Sequence, residues 1–354
     1  MKVHQATERY EHFLKKNLPV VAADLETKHA QMTAGLFPFL RSTFYRWSEL
    51  FRETCPDLAK APEVLAVGDL HVENFGTWRD VEGRLVWGVN DFDEAQMMPY
   101  SIDLVRLAAS ALLAAEEAKL DIGIEQCCAA ILDGYSSVLD KGGKPYVLEE
   151  DHAWLRTLAF GALRDPVAFA AKMSKLTEAQ PPREVADLLL SHLPQGAILR
   201  RFTTRTAGLG SLGRPRYVAL ADYGGALVVR EAKAMLPSAW NWSLGDANAP
   251  LRCGRIANKA VRCADPCLSF TKGWAVRRLA PHCSRIEMME LPHRKDDLKL
   301  MNAMGRETAN IHLGSKQAIA AVRKDLDARP GKWLFHAATA MAEATRRDWE
   351  AWKA

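Results

Sequence analysis

The sequence predicts a mostly helical α+β fold, on three observations. Apolar residues recur at helical spacing over long stretches, most strongly from Leu104 to about Lys119. Two short apolar runs, Val64-Leu65-Ala66-Val67 and Arg84-Leu85-Val86-Trp87-Gly88-Val89, read as buried strands. A second strand-bearing region opens near residue 203, where Tyr217-Val218-Ala219-Leu220 and Ala226-Leu227-Val228-Val229 flank a turn at Tyr223-Gly224-Gly225.

In chain order, residues 5 to 30 and 39 to 53 carry helix-type periodicity. The pair of apolar runs follows, with Glu82-Gly83 as the turn before the second, and their ends are expected to lie side by side. Ser101 and Asp103 open the apolar helix, since both residue types favour helix starts. The next helix begins after Asp121 and stops before Lys141-Gly142-Gly143-Lys144-Pro145, the strongest linker signal in the chain. Further helices are expected over 152 to 175 and 182 to 193, and no internal repeat or low-complexity tract is present.

Composition narrows the function classes. A chain of 354 residues can bury a large core and is long enough for two lobes. With 48% hydrophobic and 25% charged residues it has the balance of a globular protein. A net charge of +4 does not argue for a nucleic-acid partner, and none is expected. The longest strongly apolar stretch, Leu107 to Ala115, is too short to span a bilayer. Met1-Lys2-Val3-His4-Gln5 leads into a charged amphipathic segment without the apolar region of a signal peptide, which predicts a cytoplasmic protein with no membrane partner. Seven cysteines show no disulfide spacing, and Cys127-Cys128 fall within a helical pattern. Cys253, Cys263, Cys267 and Cys283 cluster, but without a CxxC pair they fit no common zinc module and are expected as buried free thiols.

The chemistry concentrates between residues 68 and 104. Gly68-Asp69-Leu70-His71-Val72-Glu73-Asn74 is followed by Asn90-Asp91-Phe92-Asp93-Glu94 and then by Asp103-Leu104. Phosphoryl transfer asks for a carboxylate to orient and deprotonate an attacking hydroxyl, and for oxygen ligands that hold Mg²⁺ on nucleotide phosphates. Asp69 suits the first task. Asn74, Asp91 and Asp93 suit the second, since Mg²⁺ takes hard oxygen donors and keeps several waters. His71 is expected to order the loop by hydrogen bonding near Asp69 or Asp91, or else to pack within it.

These motifs resemble the catalytic core of the aminoglycoside-phosphotransferase and protein-kinase-like superfamily, whose loop reads His-Gly-Asp-x-His-x-x-Asn; Val67 stands at the position of the first His. More narrowly, they resemble the bacterial family catalogued as DUF2252. Phe37-Pro38-Phe39-Leu40-Arg41, Asp103-Leu104-Val105-Arg106-Leu107, Arg230-Glu231-Ala232 and Glu307-Thr308-Ala309-Asn310-Ile311-His312 extend the likeness over about residues 28 to 315.

The resemblance implies a protein-kinase-like two-lobed fold, circularly permuted, because the glycine-rich segment follows the catalytic loop instead of preceding it. It implies an N-terminal helical segment over 1–60, a mostly helical large lobe over 61–200, a small antiparallel-sheet lobe over 201–290, and helices over 291–354 that return to the large lobe. Trp274 to Leu279 would be the last strand of the small lobe. Gly208-Leu209-Gly210-Ser211-Leu212-Gly213 would be a hairpin over phosphates, with Gly208, Gly210, Ser211 and Gly213 near the nucleotide. A cation should follow on the next strand. Arg230 is favoured over Lys233 by alignment with the family's Lys-Glu-Ala, and strand alternation lets only one of them face inward. Between Arg252 and Arg285 eight basic residues face one acid, Asp265, and would attract an anion.

The implied activity is ATP- and Mg²⁺-dependent phosphotransfer to an unidentified hydroxyl-bearing acceptor, a small molecule or a protein. A non-catalytic nucleotide-binding scaffold and an AMP-transferring enzyme are the alternatives on the same fold. A metallophosphoesterase, suggested by Asp69-Leu70-His71, lacks its downstream motifs.

Overall fold

The computed structural model describes residues 2–119, 123–149, 151–161, 165–284 and 294–354; Asp121 and Arg285 fall outside them. The chain opens with four helices, α1 (Val3–Asn17), α2 (Ala22–Ala34), α3 (Leu36–Ser42) and α4 (Phe44–Thr54). The two long periodic stretches at the N-terminus are thus each divided. Leu18 and Val21 are extended, with Pro19 between them, and Thr43 breaks the second stretch.

Five short strands and two long helices follow: β1 (Glu63–Ala66), β2 (Phe75–Arg79), β3 (Leu85–Val89), β4 (Gln96–Pro99), α5 (Ser101–Glu117), α6 (Ile124–Lys141) and β5 (Tyr146–Val147). The two apolar runs expected to be neighbours are not paired. β1 pairs antiparallel with β4, whereas β3 lies between β2 and β5. Pattern alone marks both as buried but carries no pairing information, and β2 and β4 lacked a clear signal.

The helix expected over 152–175 is two, α7 (Ala153–Gly161) and α8 (Pro166–Ser174), followed by α9 (Arg183–Ser191). Asp165 caps α8 by accepting the Ala168 N–H at 2.7 Å, and Pro166 occupies its first turn, where a missing N–H costs nothing. A five-stranded antiparallel sheet comes next, ordered β6-β7-β8-β10-β9, from β6 (Ile198–Thr204), β7 (Arg216–Tyr223), β8 (Ala226–Ala234), β9 (Ser269–Thr271) and β10 (Trp274–Leu279). Phe169 and Met173 of α8 pack on one face with Val218, Leu220 and Val229. Val185 and Leu189 of α9 pack on the other with Ala219, Ala232 and Val276. Short helices α10 (Ala239–Ser243) and α11 (Cys253–Lys259) lie between β8 and β9, and α12 (Arg294–His312), α13 (Ile319–Ala328) and α14 (Trp333–Lys353) complete the chain.

One large core gathers apolar side chains from α1, α3 to α6, β1 to β4 and α12 to α14. The linker signal at Lys141–Pro145 therefore does not separate independent cores. Helices α6 and α12 touch backbone to backbone. A Cβ on Gly134 would lie 2.1 Å from the Asn302 carbonyl oxygen, and one on Gly305 2.1 Å from that of Ile131. Among the described residues no helix is long and apolar enough to cross a membrane.

Glu307 of α12 is buried beside β3, where it accepts the Val89 N–H at 3.2 Å and an Asn310 Nδ2–H at 3.0 Å. Burial pushes its carboxyl up to about 7, with the Asn310 bond and Arg262 opposing. The folded chain thus binds an extra proton between about pH 4.5 and 7, so this contribution to stability is lost as pH rises through 7. Glu307→Gln removes that proton, and the loss of unfolding free energy between pH 5 and pH 8 is expected to shrink by on the order of 1–3 kcal/mol, read by urea titration. An unchanged difference would assign the titration elsewhere.

Candidate active site

The site begins with a buried carboxylate. Asp103 lies in the first turn of α5, fully inaccessible to solvent, and accepts the N–H groups of Val67 and Gly68 at 2.7 Å each. His312, the last residue of α12, brings Nε2 to 2.9 Å from the same carboxylate, and the Tyr135 hydroxyl lies 2.7 Å from His312 Nδ1. The chain leaving β1 is held by both N–H groups and turns at Gly68 with φ of 86°. A side chain there would meet the Glu94 carbonyl oxygen at 2.8 Å.

That turn delivers Asp69 to Arg106, one helical turn beyond Asp103 on α5. Arg106 is fully buried, donates to Asp69 Oδ1 from Nε at 3.0 Å and Nη2 at 2.6 Å, and reaches the Leu40 carbonyl at 2.7 Å. Its guanidinium also lies over the Trp47 ring at 4.9 Å. Burial raises the Asp69 carboxyl above its ordinary value, with Arg106 opposing and Asp91 adding to the rise. Both Arg106 bonds end on Oδ1. Oδ2 faces the glycine loop, since a Cβ on Gly210 would lie 3.4 Å from it.

The rest of the loop is self-supporting. Asn74 donates from Nδ2 to the Asp69 carbonyl at 2.5 Å, and its N–H donates to the His71 carbonyl at 2.8 Å. His71 Nδ1 accepts the Glu73 N–H at 3.2 Å, capping the short turn Val72–Asn74, and its ring stands edge-on to Phe37. A ring nitrogen used in this way shapes the loop; it is not a free base.

The second motif is joined to the first by the Asn90 N–H, which donates to the Asn74 carbonyl at 3.0 Å. Asp91 Oδ1 accepts the Asp93 N–H at 3.2 Å and lies 3.4 Å from Lys233 Nζ, while Lys233 pairs directly with Asp93. Burial would push Asp91 up, but Lys233, the Asp93 hydrogen bond, Arg277 and Arg216 outweigh it and hold the carboxyl well below the usual range. Asp93 is raised by burial and by the charge of Asp91. Glu94 accepts from Arg214 at 3.1 Å and from the Ala239 N–H at 2.6 Å, and burial pushes it up to about 7.

Arg230, expected to face the nucleotide, lies on the sheet face away from Asp91 and Asp93. On β8, Lys233 lies opposite Arg216, on the face that carries Glu231. Arg230 lies opposite Ala219 on the other face, where it donates to the carbonyls of His192 and Val229. Strand alternation puts the two on opposite faces, and the register of β8 against β7 sets Lys233 on the side of Asp91 and Asp93.

Two cavities meet here. The smaller, about 50 Å³, is lined by Asp69, His71, Asn74, Asp91, Asp93, Gly208, Gly210 and Ser211 of the expected residues, together with Tyr10, Arg41 and Arg214. The larger, about 370 Å³, shares Asn74, Asp91 and Gly208 with it and is otherwise rich in arginine. Gly213 lines neither and packs instead on Leu25. Among the described residues no group of three or more His, Cys, Asp or Glu converges as a ready-made metal site. A cation at Asp91 and Asn74 would complete its shell with water and ligand oxygens, a donor set that fits Mg²⁺. All seven cysteines are free, but of the four expected as buried thiols only Cys253 is buried; Cys263, Cys267 and Cys283 are half-buried, and Arg278 donates to Cys267 Sγ at 3.0 Å.

Sequence reasoning missed Arg106, Arg214, Glu94 and Tyr10 as site residues. The Asp103-x-x-Arg106 spacing on one helix face was a usable signal for the first; Tyr10, more than fifty residues from the motifs, had none. Gly210 carries a sharp steric condition, because its Cβ would sit 2.9 Å from the Arg41 carbonyl oxygen. Gly210→Ala is expected to cost about 1–3 kcal/mol of stability. Gly331→Ala, at a glycine with open space around it, should cost nothing measurable in the same thermal unfolding assay.

No curated protein and no solved structure matches this chain. A family model described as an uncharacterized protein conserved in bacteria matches residues 20–179 and 149–354. Those matches overlap and together run from residue 20 to the end of the sequence, so the chain belongs to the DUF2252 family.

Proposed function

We propose that this chain is an ATP- and Mg²⁺-dependent phosphotransferase with a circularly permuted, kinase-like arrangement, acting on a hydroxyl-bearing acceptor. One observation carries the reading. The glycine loop lies against Asp69, with Gly210 next to Oδ2, although about 140 residues separate them in sequence. Loop, carboxylate and the Asn74–Asp91 pair line one cleft, the grouping that phosphoryl transfer uses.

In this reading Asp69 Oδ2 accepts the proton of the acceptor hydroxyl, whose oxygen bonds to the γ-phosphorus as the bond to the β-bridging oxygen breaks and ADP leaves. Burial suits Asp69 to the task, because a raised pKa makes it a better proton acceptor near neutral pH. Arg106 fixes the rotamer by holding the other oxygen. Asn74 and Asp91 would hold Mg²⁺, which neutralises phosphate charge when bound. Lys233 favours the ionised form of Asp91 and pairs with Asp93. The Arg106–Asp69 ion pair also favours a second reading, a nucleotide-binding protein without turnover, since a paired carboxylate is a weaker base.

Turnover is read as ADP release from Mg-ATP in the presence of bacterial small-molecule extract. Asp69→Asn should lower it on the order of a hundredfold or more while ATP affinity is kept. Asp91→Ala should remove the Mg²⁺ dependence of ATP binding. Normal turnover in Asp69→Asn would sink the assignment of the base, and no turnover in the native chain despite tight ATP binding would favour the second reading.

Lys233→Met is expected to weaken Mg-ATP binding more than Arg230→Met, because of the two only Lys233 pairs with Asp91 and Asp93. Calorimetry on both variants checks the order, and the reverse result would break the link between the sheet and the nucleotide.

A further inference from the structure

The larger cavity is lined by Arg205, Arg216, Arg262, Arg277 and Arg278 against Asp91 and Asp265. Behind it stands Glu231, fully buried on β8. Its carboxylate accepts from Arg205 Nη1 at 2.6 Å, from Arg216 Nη1 at 3.0 Å and from Arg277 Nε at 2.9 Å, and Arg277 Nη2 completes the ion pair at 2.8 Å. Register makes this possible, since Glu231 sits opposite Arg277 on β10, and Arg216 shares its sheet face on β7.

One carboxylate therefore fans out three guanidinium groups. Counting Glu231 with the two lining aspartates, five arginines leave an excess of two positive charges. Burial opposes ionisation of Glu231, but Arg277, Arg216 and Arg205 hold it well below the ordinary carboxylate range, so the fan persists through neutral pH. Two donors are unspent. Arg216 Nε, on a side chain only 2% exposed, and Arg262 Nη1 are buried without a hydrogen-bond partner. Arg262 is held in place over Trp78 at 4.6 Å and Phe92 at 4.8 Å. Buried donors are rarely left unpaired, and arginine forks match phosphate oxygens.

We propose that this cavity binds a polyphosphate, two or more linked phosphates such as a nucleotide's diphosphate or triphosphate, through the Arg205–Arg216–Arg277 fan organised by Glu231, and that it does so without a metal. A single anion would satisfy one fork. A cavity of about 370 Å³ lined by five arginines suits a longer anion. Lys233 is already engaged with Asp91 and Asp93, so the phosphates need this other set of cations. The cavity joins the smaller cleft at Asn74, Asp91 and Gly208, which brings the end of the polyphosphate to the proposed metal ligands. The proposal rests on the phosphotransferase reading only for the use made of the bound phosphates.

The test is calorimetric titration of the full chain with inorganic tripolyphosphate in EDTA at low salt. The native chain should bind it one to one. Arg277→Gln and Arg205→Gln should each weaken binding by about tenfold or more, the loss expected for a charged hydrogen-bonded contact. Arg277→Lys, which keeps the charge but not the fork, should fall between. Arg200→Gln should leave affinity unchanged, because Arg200 is exposed and paired with Asp222 outside the cavity. Melting curves identify any variant that fails to fold, and the remaining one then decides.

No binding by the native chain, equal affinity in folded Arg205 and Arg277 variants, or equally strong competition by orthophosphate or a single-stranded oligonucleotide would overturn the proposal. The two readings separate cleanly. Loss of tripolyphosphate binding in the variants without ATP turnover in the native chain keeps this proposal and ends the phosphotransferase. ATP turnover with arginine variants that bind normally does the opposite.

Discussion

A buried carboxyl group left without hydrogen-bond partners is among the costliest groups a protein can hold, and Asp103 is one that the fold has arranged itself to satisfy. Its oxygens take two backbone N–H groups from the end of β1 and face the imidazole of His312, more than two hundred residues away. Tyr135 extends the chain to α6. Losing any of these partners would leave a buried polar group short of a hydrogen bond, so α5, α6, α12 and the loop after β1 are held relative to one another. The direction in which Asp69 leaves that loop follows, and so does its meeting with Arg106.

Around this fixed point the charges are arranged as small, unequal sets. Arg106 serves Asp69, Lys233 serves Asp91 and Asp93, Arg214 serves Glu94, and Glu231 serves three arginines at once. Away from bulk water such sets interact strongly, and removing one member exposes the rest to the full cost of burial. None is closed on itself. Asp69 keeps an oxygen toward the glycine loop, Asp91 remains partly exposed beside Asn74, and the arginine fan carries more charge than its carboxylate neutralises. The carboxylate-bearing lining of one cavity and the arginine-rich lining of the other meet at the residues the two share. That separation is the physical basis for reading one side as the place of chemistry and the other as the place of anion binding.

Much of this was legible in the residues themselves. Helical periodicity located α5, α6 and α9, because a buried helix face forces apolar residues to recur every three to four positions. The Gly68–Asn74 and Asn90–Glu94 motifs marked the cleft, since hard-ligand and loop-forming residues seldom gather in order without a shared task. Helix breaks at Pro19 and Asp165-Pro166 were readable in principle, because proline leaves a backbone bond unmade.

Composition and pattern by themselves determined a mostly helical α+β chain, a second region of antiparallel strands, and the carboxylates and amide that line the cleft. These are local consequences of period, turn chemistry and side-chain type. Tertiary structure alone decided the pairing of β1 with β4, the inward place of Lys233 over Arg230, the grip of Arg106 on Asp69, and the gathering of Arg205, Arg216 and Arg277 on Glu231. Each depends on strand register or on contact between distant segments. A shift of one residue along a strand reverses which side chain faces the site, and nothing in the order of residues records that shift.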